Sequence, residues 1–132
     1  MKDRQIDDPV MYTNLLFFIN SILYGVLGLF ELGLNMIISA LISSFYHQTN
    51  ESSKTLRAID QIAVKVLLIN IFIHLALLAK MDELIFSLLW LVFCLLINSI
   101  AHDSDTNYDL YHTVWHVMVF FGNILVCIFI TN

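Results

Sequence analysis

Apolar residues along this chain gather into long runs divided by short polar stretches, and the length of each run predicts the elements. A helix that crosses the hydrocarbon core of a bilayer takes about 20 residues. Runs over 56–79, 84–101 and 109–131 each come close to that length. An earlier run, 10–47, is too long for one span and carries Glu31, Gly33 and Asn35 in its interior. Dividing it near 30–33 gives spans over 10–30 and 33–47, with one kinked helix as the open alternative. The polar connection 48–57 holds Ser52 and Ser53, either of which can start the next helix. Lys80, Asp82 and Glu83 make the following turn, and 101–107 reads as an acidic loop carrying His102, Asp103 and Asp105. The pattern predicts an all-α polytopic transmembrane helical bundle of about five spans, forming a single domain over 1–132 behind a polar segment at 1–9.

Composition agrees with that class. Hydrophobic residues are 59% of the chain and charged ones 13%, far from the balance of a soluble domain. The net charge of −5 is concentrated in short polar segments and by itself decides nothing about nucleic acid; the lack of a basic stripe argues against it as a partner. No small-residue cleavage site follows the first apolar run, so that run is expected to stay as a helix. Cys94 and Cys127 both fall in apolar runs and read as buried small hydrophobes. Six amides (Asn14, Asn20, Asn35, Asn70, Asn98 and Asn123) lie in or near spans, where they are expected to bond between helices. His74 has the same expectation. Gly25, Gly28, Gly33 and Gly122 would permit close approach or a bend, and Tyr108, Tyr111 and Trp115 look like an interfacial aromatic belt.

The candidate chemistry begins in the last run, where His112 and His116 are four residues apart. Such a pair shares one helix face with a rise of roughly 6 Å, so two imidazoles can converge on one ion. They can also be no more than packing groups, and the rest of the chain has to decide. Topology supplies the test. With five spans, the end of the second, the start of the third and the start of the fifth lie on one side of the membrane. Ser43 and His47, Asp60, and the two histidines occupy those three places. Lys2, Arg4, Lys54 and Arg57 flank this side and only Lys80 flanks the other, which puts the site and the N-terminus in the cytoplasm. His74 lies about 21 Å along its helix from Asp60 and is too far away to join.

Catalytic zinc takes three protein ligands and keeps a fourth position for water, whose pKa it lowers towards 7. His47, His112 and His116 would be the ligands. Asp60 would act as the general base and then the acid, and Ser43, one turn before His47, would bond the water or a carbonyl oxygen that gains charge. Those parts suit hydrolysis of an amide or ester. The Ser-Ser-Phe-Tyr-His of 43–47, the Ile-Asp-Gln around Asp60 and the His-Thr-Val-Trp-His of 112–116 resemble the signature of the CREST superfamily, which includes alkaline ceramidases, adiponectin receptors and Per1-like proteins. The resemblance spans about 43–122 and implies an intramembrane zinc hydrolase acting on a membrane lipid, ceramidase-like in activity. That family has seven spans where this chain has about five, so a homodimer is the assembly that would complete the pocket. The alternative reading is a non-catalytic receptor or scaffold with a structural metal, which Asp60 would close as fourth ligand. A small transporter or channel subunit, with its histidines as a relay, is the third.

Overall fold

The structure, a computed structural model, describes residues 9–49, 53–103 and 107–131, without the side chains of 11 and 101–103. Six helical segments follow one another: α1 (Pro9–Thr13), α2 (Leu15–Val26), α3 (Phe30–Gln48), α4 (Lys54–Leu78), α5 (Met81–Asp103) and α6 (Tyr108–Thr131). No strand occurs among the described residues. The backbone of Asn14 keeps helical angles, so α1 and α2 are nearly one helix. Three helical stretches, α4, α5 as far as Ile100, and α6, are long and apolar enough to cross a membrane, while α2 is apolar but shorter.

Helix ends follow local chemistry. Gly28 has a φ of 78°, a conformation that costs any residue with a Cβ, and it closes α2. The amides of Leu29 and Gly28 bond back to the carbonyls of Tyr24 (2.8 Å) and Gly25 (3.1 Å), the paired bonds of a Schellman ending. The break therefore falls at 27–29 instead of the expected 30–33. Gly33 lies inside α3, where a Cβ would come within 3.0 Å of the Ser21 carbonyl, so its smallness serves the α2–α3 contact. Gly25, in contrast, borders open space. Ser53 starts α4 by accepting the amide of Leu56 at 3.2 Å. The Glu83 carboxylate accepts the amide of Lys80 at 2.8 Å and so caps the start of α5. That helix runs to Asp103, so 101–103 belong to it and not to the expected loop; the side chain of His102 lies outside the described ones.

Packing inverts the pattern of a water-soluble protein. Tyr12, Leu15, Ile19, Ile22 and Val26 point outward from α1 and α2, while Thr13, Asn14, Asn20 and Ser21 are buried. Large exposed apolar side chains cover the other helices as well, from Phe30 to Ile128. An outer surface of this kind is stable against lipid, and it marks a membrane protein. Within it, Tyr24, Leu32, Met36, Ala40, Leu67, Ile71, Leu75 and Val126 form one apolar core.

Polar bonds set the register between helices. The Thr13 hydroxyl meets His116 Nδ1 at 2.8 Å, the Asn20 amide donates to the Phe120 carbonyl at 3.3 Å, and the Tyr24 hydroxyl donates to Asn123 Oδ1 at 2.7 Å. Residue numbers rise together along these three rungs, so α1–α2 and α6 run parallel. The Asn70 amide donates to Glu31 at 3.1 Å and joins α4 to α3. Four of the six expected amides thus bond between helices once Asn14, whose oxygen accepts from Ser43 at 3.4 Å, is included. His74 does not: its Nδ1 meets the Asn70 carbonyl of its own helix at 2.9 Å. Although joined by only two residues, α4 and α5 do not pack along each other; each rests on α6, and a cleft remains between them.

Candidate metal centre

Two helix faces build the centre. The buried stripe of α3 runs through Met36, Ser39, Ala40, Ser43 and Tyr46 to His47, and small residues along it let neighbouring helices approach closely. On α6, the buried positions begin with His112 and His116. His47, His112 and His116 are 2%, 6% and 0% exposed, and their ligand atoms all lie within 4.8 Å of one another. The Nε2 atoms of His47 and His112 are 3.3 Å apart. Two nitrogens on one tetrahedral zinc, each at about 2.0–2.1 Å, would be separated by roughly 3.3–3.4 Å.

The donor set also passes a chemical test. His116 Nε2 is buried without a hydrogen-bond partner, which is costly for a polar atom unless something else takes its lone pair. Among the described residues, no aspartate, glutamate or cysteine joins the three histidines in this group. The three histidines could therefore hold a metal ion.

Aromatic rings enclose the imidazoles. Tyr108 stacks on His112 with centroids 5.0 Å apart, Trp115 lies 5.4 Å from His112 and 5.1 Å from His116, and Phe17 meets His116 edge-on at 5.2 Å. Tyr108 and Trp115, expected as an interfacial belt, thus form part of the site wall. Such rings limit imidazole rotation and keep bulk water away from the nitrogens.

Ser43 and Asp60 line the same cavity as His47 and His112, a space of about 390 Å³. Its walls change character along their length. Along α4, Arg57, Asp60, Gln61 and Lys65 come from the half that starts beside the end of α3, and Leu67, Leu68 and Ile71 from the half beyond; Leu91, Leu95 and Val119 add apolar surface from α5 and α6. The cleft between α4 and α5 shares Leu68, Ile71, Leu91, Cys94, Val119 and Asn123 with this cavity and continues past Leu75, Phe86, Trp90 and Val126.

All five residues singled out from the sequence thus meet at one place: three as a ligand group, two on the adjoining wall. His74 stays away, as expected from its depth. The sequence reading missed Thr13, Phe17, Tyr46, Arg57 and Gln61. For Thr13 and Phe17 a signal existed, because Val10, Thr13, Phe17, Asn20 and Tyr24 recur at helical spacing and several are polar within an apolar run. No protein-family model, curated protein or solved structure matches this chain.

Proposed function

We propose that the chain is a multi-pass membrane hydrolase of about five spans that uses zinc held by His47, His112 and His116 to cleave a lipid amide or ester, with its site towards the cytoplasm. The observation that carries this reading is a group of three converging imidazoles, two of which line a cavity whose α4 wall turns from polar to apolar. The resemblance of these motifs to the CREST superfamily supports it from the sequence side.

Zinc in this position would supply a Lewis acid and lower the pKa of a coordinated water towards 7. The chain's own groups would do the rest. Asp60, on the wall of the same cavity as His47 and His112, takes the proton of the attacking water and returns it to the leaving amine or alkoxide. Ser43 rests on Asn14 at 3.4 Å, a long bond that it can exchange for a carbonyl oxygen as charge develops there. Leu67, Leu68, Ile71 and Leu91 hold the acyl chain and exclude water, which orients the carbonyl. Asp60 lies outside the histidine group, which favours this reading over a structural metal closed by a fourth protein ligand.

The test is to reconstitute the zinc-loaded chain in vesicles that contain ceramides, lysophospholipids or diacyl phospholipids and to measure fatty-acid release by mass spectrometry. Release that 1,10-phenanthroline blocks, zinc restores, and Asp60→Asn lowers by about 10²–10⁴-fold is expected. The hydrolase reading fails if none of these lipids is cleaved by the loaded chain.

A further inference from the structure

A residue outside the ligand set governs how His116 presents itself. The Thr13 hydroxyl lies 2.8 Å from His116 Nδ1, and it also lies 3.0 Å from the Pro9 carbonyl and 3.1 Å from the Val10 carbonyl. It carries one proton and faces three potential acceptors. Carbonyl oxygens can only accept. If the proton went to the imidazole, both close carbonyl contacts would oppose lone pairs to lone pairs, and the ring would carry its own hydrogen on Nε2. That nitrogen is buried and has no acceptor within reach. With the proton on one of the carbonyls, the hydroxyl accepts from Nδ1–H, and Nε2, buried without a hydrogen-bond partner, is the nitrogen of His116 left with a lone pair for an ion in the three-histidine group.

We infer that Thr13 is a positioning residue that holds His116 as its Nδ1–H tautomer and so presents Nε2 as a metal ligand. The role of the metal rests on the zinc reading above; the tautomer does not. A second group that accepts from the far ring nitrogen fixes orientation and raises the basicity of a ligating histidine. Phe17, one turn beyond Thr13, packs edge-on against the same ring and limits the rotation that would swap its nitrogens. The first helix is thus more than a wall of the bundle. It selects the protonated nitrogen of a residue 103 positions away in the chain.

Two measurements separate the parts. In the metal-free chain labelled with ¹⁵N-histidine, the His116 resonances, assigned by loss in His116→Ala, should show a proton on Nδ1 and none on Nε2. Isothermal titration with zinc should then give an affinity about 10–100-fold weaker for Thr13→Val, with near-normal affinity in Thr13→Ser, which keeps the hydroxyl. Helical content by circular dichroism serves as the fold control for both variants. An Nε2–H tautomer in the unsubstituted chain overturns the inference, even if Thr13→Val fails to fold. Equal zinc affinity in a folded Thr13→Val also overturns it. Failure of the unsubstituted chain to bind zinc would remove the metal reading instead, and the tautomer would still decide the part played by Thr13.

Discussion

Replacing Tyr24 by phenylalanine deletes one oxygen from a fully buried side chain and nothing else. That oxygen donates to Asn123 Oδ1 at 2.7 Å, while Asn123 Nδ2 is satisfied separately by the Val119 carbonyl at 2.8 Å. The substitution therefore orphans the Asn123 acceptor, at a position 4% exposed, and also removes the hydroxyl's weaker contact with the buried Cys127 thiol. A buried unsatisfied group costs about 1–3 kcal/mol in soluble proteins, whereas polar side-chain bonds between membrane helices average about 0.6 kcal/mol and reach about 1.7. The short distance and complete burial of Tyr24 favour the upper part of the membrane range, so about 1–1.5 kcal/mol is expected. A double-mutant cycle with Asn123→Leu isolates the pair, because the double variant removes donor and acceptor together. Unfolding in mixed micelles at rising SDS fraction, followed by circular dichroism, should show a coupling of about 1 kcal/mol. Single effects that add to the double within about 0.3 kcal/mol would show that this rung does not hold α2 to α6.

Two further substitutions probe contacts that bear on the cleft and on helix initiation. A Cβ at Gly122 would fall 2.6 Å from Trp90 Nε1, so Gly122→Ala should push the indole off α6, break its bond to the Met118 carbonyl (3.2 Å) and shift tryptophan emission in a Trp115→Phe background; unchanged emission would contradict that packing. Ser53→Ala removes the cap on the Leu56 amide and should cost about 1 kcal/mol in the same SDS titration, whereas Ser53→Asp should restore most of it.

The helices were legible in the sequence because membrane burial is recorded in run length, which survives without any knowledge of neighbours. Their breaks were less so. Gly28 and Gly33 look alike as letters, yet one supplies a positive φ and the other a close backbone approach, and only the fold separates these uses. For the site, the four-residue spacing of His112 and His116 and the parity of the spans were enough to bring in His47, Ser43 and Asp60. Thr13 was hidden because a threonine in an apolar helix ordinarily bonds back to its own carbonyls, as this one also does. Its second contact depends on α1 lying beside α6, which no local pattern encodes. The same holds for Tyr108 and Trp115: a position near a helix start suits a lipid interface as well as a ring packed on an imidazole. His74 went the other way, since its bond to the Asn70 carbonyl satisfies it within its own helix.

The central claim is that His47, His112 and His116 act together as ligands of one zinc. Its most direct test is the metal content of the detergent-purified chain by inductively coupled plasma mass spectrometry, beside the His112→Ala and His116→Ala variants. About one zinc per chain, lost in both variants while their helical content is kept, is the result predicted. Zinc absent from the unsubstituted chain, or retained in full after either substitution, would contradict the claim and return these three histidines to helix packing.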